Sequence, residues 1–236
     1  VTRLGVITGL GLEAACWQNA QRPGGEASGA LVFVGGADLE RTRAGALALI
    51  AAGAEALLSF GVAGALDPDL RPGDVVIGAL VIGDGAAGSY RTWPTDPAWR
   101  NRLADALSGT IKARVGPILG SDRVIASPAE KNSLFAKTKA IAVDMESRAV
   151  AEVAASCAVP LAVVRAVGDA QYHTVPEAAR SAIAADGRIA LGPVLAGLLR
   201  RPQDLGLLLR LGLAVRSGRQ SLRRIAALGA GALGPV

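Results

Sequence analysis

Short, nearly unbroken apolar runs alternate with Ala-rich stretches of helical periodicity along most of this chain. Leu4 to Thr8 reads as a buried strand, Gly9-Leu10-Gly11 as a turn, and Glu13 as the opening of a helix. Ala30 to Val34 repeats the strand pattern and ends in Gly35-Gly36. Thr42 to Ala52 is Ala-rich and helical, stopped near Gly53. Ala56 to Phe60 is a third buried strand, running into Gly61-Val62-Ala63-Gly64-Ala65-Leu66, which reads as a glycine-bearing turn. Asp67-Pro68-Asp69 and Arg71-Pro72-Gly73-Asp74 mark turns, and Val75 to Ile82 is a further strand. Gly83 to Pro97 reads as a long polar loop holding Tyr90 and Trp93. The pattern then predicts a helix from Asp96-Pro97 to about Leu107, a strand over Gly116 to Leu119 and a helix over Pro128 to Thr138. A short strand, Ala140 to Val143, enters an Ala-rich helical run that contains Met145-Glu146. Pro160 to Val167 is a last buried strand, ending in Gly168-Asp169.

Buried strands alternating with helices predict a three-layer α/β/α fold with a central mixed sheet. No internal repeat is present. A boundary near Arg200-Arg201-Pro202 divides a body, residues 1–200, from a basic amphipathic tail, residues 201–236. With 236 residues, 51% hydrophobic and 3% aromatic, the chain can build one sizeable core from Ala, Val, Leu and Ile. Cys16 and Cys157 sit far apart in apolar segments and read as buried thiols of a reducing compartment, with no metal-ligand spacing. The single histidine, His173, argues against a His-based triad or zinc site. No uncharged apolar run reaches the roughly 18–20 residues of a membrane span. Val1 to Leu12 is interrupted by Glu13 and reads as a first strand rather than a signal peptide.

The net charge of +5 is concentrated at one end. Arg200, Arg201, Arg210, Arg216, Arg219, Arg223 and Arg224 face a single acid, Asp204, so the tail is strongly basic and the body nearly neutral. Leu205, Leu207, Leu208, Leu209, Leu211, Leu213 and Val215 form an apolar stretch too short to cross a bilayer. At 100° per residue Leu211, Val215, Leu222, Ile225 and Ala226 share one arc that excludes the arginines of this segment. That pattern fits a basic helix on an anionic membrane surface, and equally a last helix packed on the body or on a partner subunit.

Two carboxylates stand out. Asp169 lies just past the end of a buried strand, where open α/β sheets put working residues; its plain alternative is an N-cap or Asx-turn. Glu146 sits between apolar neighbours, where a carboxylate is costly without a partner or ligand. Glu13 fits a first-turn helix acid. Arg165, inside a buried strand, requires an acidic partner. His173 reads as a loop residue.

Taken in order, Leu4-Gly5-Val6-Ile7-Thr8-Gly9 with Glu13, Gly61-Val62-Ala63-Gly64-Ala65-Leu66 with Pro72-Gly73-Asp74-Val75-Val76, Val143-Asp144-Met145-Glu146 and Val164-Arg165-Ala166-Val167-Gly168-Asp169 carry a resemblance. As a set they resemble the purine nucleoside phosphorylase and methylthioadenosine/S-adenosylhomocysteine nucleosidase superfamily over about residues 4 to 200. The subgroup most similar in look is the hopanoid-associated phosphorylase, which removes adenine from adenosylhopane. The resemblance implies cleavage of a ribose–adenine bond through an oxocarbenium-like transition state. Asp169 matches the general acid at the purine, kept protonated by burial. Glu146 matches the residue that grips the ribose hydroxyls, with Met145 against the sugar. Glu13 matches the carboxylate that activates water, and the main chain at Ile125 would read the adenine edge.

Three positions depart from the family pattern. Val62 and Gly168 stand where serines are usual, and Val124 replaces a stacking aromatic. The nucleophile, water or phosphate, therefore stays open. Arg41 and Arg43, after Gly35-Gly36, are candidate phosphate donors, with a solvated helix start as the plain alternative; Gly61 and Val62 are candidate substrate contacts. The expectations are thus an enzyme without a cofactor or metal, with phosphate as a conceivable co-substrate, acting on a 5′-substituted adenosine that is lipid-linked. The alternatives are a soluble methylthioadenosine/S-adenosylhomocysteine nucleosidase and a non-catalytic nucleoside-binding or membrane-surface protein. A homo-oligomer in the cytoplasm, peripheral on the inner face of the membrane through its tail and without a nucleic-acid partner, completes them.

Overall fold

The computed structural model describes residues 3–20, 30–84, 89–109, 111–180, 187 and 190–235. Eight strands form one mixed sheet: β1 (Leu4–Thr8), β2 (Leu31–Val34), β3 (Ala56–Ala65), β4 (Val75–Asp84), β5 (Tyr90–Pro94), β6 (Ala113–Gly120), β7 (Ala142–Asp144) and β8 (Leu161–Asp169). The described helices are α1 (Gly11–Ala20), α2 (Leu39–Ala51), α3 (Pro97–Leu107), α4 (Pro128–Thr138), α5 (Ser147–Ser156), α6 (Glu177–Arg180), α7 (Leu191–Arg200), α8 (Leu205–Ala226) and α9 (Gly229–Leu233). Their starts are written in the sequence. Asp38, Asp96 and Ser127 accept from the backbone N–H groups of Arg41, Trp99 and Glu130, and prolines open α3 and α4.

Strands β2, β1, β3 and β8 run parallel to their neighbours. Beyond them the sheet curls: β8 pairs antiparallel with β4, β4 parallel with β6, β6 parallel with β7, and β7 antiparallel with β3. That pairing closes β3, β8, β4, β6 and β7 into a ring. Side chains of β3 alternate between two apolar clusters, as a period of two requires. Leu57 joins α2 and α5 on one face, while Leu58 and Phe60 join α1, α3 and α8 on the other.

Three expectations change. The Gly61–Leu66 segment is not a turn, because β3 continues through Ala65 and β8 pairs along it as far as Gly64. Part of the expected Gly83–Pro97 loop is edge strand β5, with Trp93 buried against the core; residues 85–88 of that loop lie outside the described residues. Met145-Glu146 is not inside a helix. It bridges β7 to α5, with Glu146 as the N-cap residue.

The basic C-terminal segment is not a free appendage, and the packed-helix alternative describes its second half. Leu222, Ile225, Ala226 and Leu233 are fully buried beside Trp17, Trp99 and Val164. Ser221 Oγ donates to Gly73 O at 2.7 Å, and Trp99 Nε1 donates to Leu233 O. At Gly218 an added Cβ would lie 2.8 Å from Val167 O, so α8 crosses directly behind the end of β8. Ile225→Ala should therefore cost about 2–4 kcal/mol in urea unfolding, the range for emptying a buried aliphatic site. A change under about 0.5 kcal/mol, typical of surface positions, would contradict this packing.

Candidate active site

The site forms where the ends of β3, β7 and β8 meet the β1–α1 turn. Register decides the neighbours: Gly64 pairs with Asp169 on one side and with Val143 on the other. A cleft there is lined by Gly9, Leu10 and Glu13, by Val62 to Gly64, by Arg123 to Ile125, by Val143 to Glu146, and by Ala37 and Asp169. Glu13, Glu146, Asp169, Met145, Val62, Val124 and Ile125 are thus brought together.

Arg165 organises one end of this cleft. It points out of β8, fully buried, and its Nη2 donates to Ser59 Oγ at 2.6 Å. Its Nε meets Asp144 Oδ2, and its Nη1 lies 3.3 Å from Glu146 Oε2. Both contacts are ion pairs without hydrogen-bond alignment. The other oxygen of Asp144 accepts from Ser147 Oγ at 2.6 Å and from Ser147 N at 3.2 Å, which fixes the start of α5.

Glu13 is the third carboxylate of the group. Its Oε2 accepts from Gly9 N and Leu10 N, each at 2.9 Å, and its Oε1 accepts from Val62 N at 2.8 Å. The first-turn acid therefore ties its own turn to β3. Two glycines make the crowding workable. A Cβ at Gly61 would lie 2.8 Å from Glu13 Oε2 and against Arg165 Nη1, and one at Gly9 would collide with the Glu146 carboxylate. Gly61 does not line the cleft; its role is to leave space behind it.

One guanidinium stands among three buried carboxylates. Burial pushes the Glu146 carboxyl up to about 8; Arg165 opposes the rise, and Asp144 and Glu13 add to it. Burial also raises Glu13, against Arg165 and the three backbone donors.

Asp169 sits at the other end with a partner the sequence reading missed. Lys131, on α4, is fully buried, and its ammonium pairs with Asp169 Oδ2. The same ammonium donates to Ala170 O at 3.0 Å and to His173 O at 3.1 Å, which accounts for all three of its protons. Burial raises the Asp169 carboxyl and Lys131 pulls it back. His173 accepts from Ala170 N through Nδ1 at 3.2 Å, so it shapes the loop after β8. The sequence carried a signal for the burial of Lys131 but none for its partner: it shares a helical arc with Leu134 and Phe135 three and four residues on.

Arg41 and Arg43 are not brought to the cleft. Arg43 is held by Glu40 and Glu152. Arg41 donates from Nε to Val34 O at 3.3 Å and covers the Phe33 ring. Among the described residues no group of three His, Cys, Asp or Glu side chains could hold a metal ion.

Residues 22–192 match the Phosphorylase superfamily. The chain belongs to that family. Among named relatives, the 5′-methylthioadenosine/S-adenosylhomocysteine nucleosidase of Mycobacterium bovis is 29% identical over 152 residues, which is 50% of this chain and 60% of that protein. The Staphylococcus epidermidis protein of the same name is 30% identical over 129 residues, 49% of this chain and 57% of that protein. The chain thus spans less than two thirds of these relatives. Among solved structures, the Helicobacter pylori nucleosidase of that name with butyl-thio-DADMe-Immucillin-A superposes over 95% of this chain and 97% of its own, at TM-score 0.68 and 17% identity. Futalosine hydrolase from the same organism covers 72% of this chain and 88% of its own, at TM-score 0.64 and 21% identity. These likenesses establish the mixed α/β fold with its central sheet.

The raised Glu146 carboxyl has a measurable consequence for stability. Unfolded, this group titrates near its ordinary value of 4.5; folded, near 8. Its proton therefore stabilises the fold fully at acid pH, and that contribution is lost as pH rises through the folded value. Relative to Glu146→Gln, the parent should lose more than about 1 kcal/mol between those two pH values, since each shifted unit carries about 1.4 kcal/mol. Urea unfolding of both proteins across that range checks this. A stability difference that does not vary with pH would contradict it.

Proposed function

We propose that the protein cleaves the N-glycosidic bond of a 5′-substituted adenosine and releases adenine. The observation that carries this reading is that one cleft is lined by two separately held sets of acidic groups. Asp169 lies beside Lys131, and the Arg165-bound cluster holds Glu146 and Glu13. In a family built around nucleoside cleavage, such a cleft accepts the purine at one end and the sugar at the other.

The chemistry follows from the groups. The bond from C1′ to the purine nitrogen breaks while positive charge develops on the sugar, and the carboxyl oxygens at that side of the cleft stabilise that charge. The leaving purine takes a proton at N7 from the Asp169 carboxyl, which desolvation favours in its protonated form. The ribose hydroxyls meet Glu146, Met145 packs on the sugar, and the main chain at Ile125 meets the adenine edge. Water adds to C1′, and its proton passes to Glu13. Val62 takes part through its N–H, which fixes Glu13; a serine hydroxyl is not needed for that contact.

The lining of the cleft favours water over phosphate. Its described cationic side chain is Arg123, which itself pairs with Glu130. A phosphate dianion needs several cationic donors, and the candidate Arg43 is held away from the cleft by Glu40 and Glu152. For the 5′ substituent, adenosylhopane is the first reading, supported by the motif resemblance and by the apolar, basic C-terminal segment. Methylthioadenosine and S-adenosylhomocysteine are the second, favoured by the names of the relatives.

Adenine release from adenosylhopane and from methylthioadenosine, each with and without phosphate, separates these readings. The expected result is release from adenosylhopane that does not need phosphate. Release from methylthioadenosine alone selects the second reading, and release from neither overturns the proposal.

Asp169→Asn should lower that release by about 10²–10⁴-fold, the contribution of a positioned general acid. The amide oxygen can still accept from Lys131, so a folded protein is expected. Rates within a few-fold of the parent would remove Asp169 from the chemistry.

A further inference from the structure

Helix α8 has two halves with different surroundings. From Ala214 onward one face is buried against β8 and α1 through Ala214, Gly218, Leu222, Ile225 and Ala226. In the first half, up to Leu213, the outer face is open, and a Cβ added at Gly206 or Gly212 would meet no atom within 4 Å, while Leu208 and Leu211 are half-buried. Leu205, Leu209 and Leu213 follow one another at intervals of four and form a strip on the side of the helix away from the packed face. They are 49%, 62% and 65% exposed, and Leu199 at the end of α7 is 86% exposed. A single exposed leucine needs no explanation, but a row of them does.

The surroundings of the strip are basic. Arg200, Arg201, Arg210 and Arg216 are exposed beside it, and Asp204 is the last acidic residue of the sequence. A second copy of the chain packed face to face here would set arginines against arginines, since a two-fold contact repeats the same patch. A nucleic acid would engage the arginines and leave the leucines in water. An anionic bilayer surface satisfies both: leucines enter the acyl boundary and guanidinium groups meet the lipid phosphates. No described helix is long and apolar enough to cross a membrane, so the contact would lie on the surface.

We infer that the first half of α8, with the end of α7, docks this protein on an anionic lipid surface. The second half of α8 anchors that contact to the back of β8, near the strand end that carries Asp169. The inference stands on the helix alone and does not require the substrate reading.

Co-sedimentation of the full chain with vesicles of phosphatidylcholine, with and without phosphatidylglycerol, tests it. The parent should bind when phosphatidylglycerol is present and be released by salt. Arg210→Gln with Arg216→Gln should weaken binding by more than about tenfold, at roughly fivefold per arginine. Leu209→Gln with Leu213→Gln should weaken it by at least about tenfold. Both pairs are exposed, so urea unfolding should match the parent. Absence of vesicle binding overturns the inference, as does binding that ignores phosphatidylglycerol or survives loss of the leucines. A leucine variant that turns a dimer into a monomer in light scattering without changing vesicle binding assigns the strip to self-association instead.

Discussion

Arg165 is a cation without access to water, and its environment holds more negative than positive charge. Isolated charges in a protein interior cost several kcal/mol each, so they persist only where paired and bonded. Here Asp144, Glu146 and Ser59 surround the guanidinium, and Glu13 approaches across Gly61. These groups come from β3, β7, β8 and the β1–α1 turn, so one side chain draws four parts of the chain to a point. Burial favours the protonated form of Glu146, which makes it a group able to donate as well as accept at neutral pH. A ribose hydroxyl pair can exploit either capacity.

The same design recurs around Asp169 on a smaller scale. A buried ammonium, Lys131, holds the Asp169 carboxyl in place while burial drives its proton affinity up. Burial is the larger of the two opposing influences, so the carboxyl lies above its ordinary range, the direction a proton donor requires. Behind it, α8 presses Gly218 against Val167 and Gly168. The C-terminal segment thus belongs to the foundation of the site even where its outer half faces solvent.

Much of this was legible in the chain. Strands with unbroken apolar runs were read within a few residues of their ends, because burial on both faces leaves little room for polar positions. Asp96-Pro97 and Pro128 gave the starts of α3 and α4. Arg165 announced its need for an acid from its place inside an apolar strand, and Asp169 announced itself from the strand end. What failed has physical reasons. Gly61 to Ala65 looked like a turn because glycines there serve close packing around Glu13, Arg165 and Asp169 rather than chain reversal. Edge strand β5 carries exposed Tyr90, Arg91 and Thr92 before the buried Trp93, so it lacks the apolar signature of an inner strand. Lys131 was overlooked because its partner lies on a strand 38 residues away, and local pattern cannot report such a pairing. Arg43 was offered as an anion ligand, yet Glu152 on another helix neutralises it.

The central claim is that one cleft holds a purine against Asp169 and a sugar against Glu146, with Arg165 fixing the sugar side. A crystal structure of the Asp169→Asn variant with methylthioadenosine bound tests this most directly, since slowed cleavage leaves the ligand whole. The account predicts N7 of the purine within hydrogen-bond reach of residue 169, the ribose hydroxyls on Glu146, and the Arg165 cluster unchanged from the unliganded protein. A nucleoside bound in the opposite sense, or outside the cleft between Gly9, Ile125 and Asp169, would contradict it.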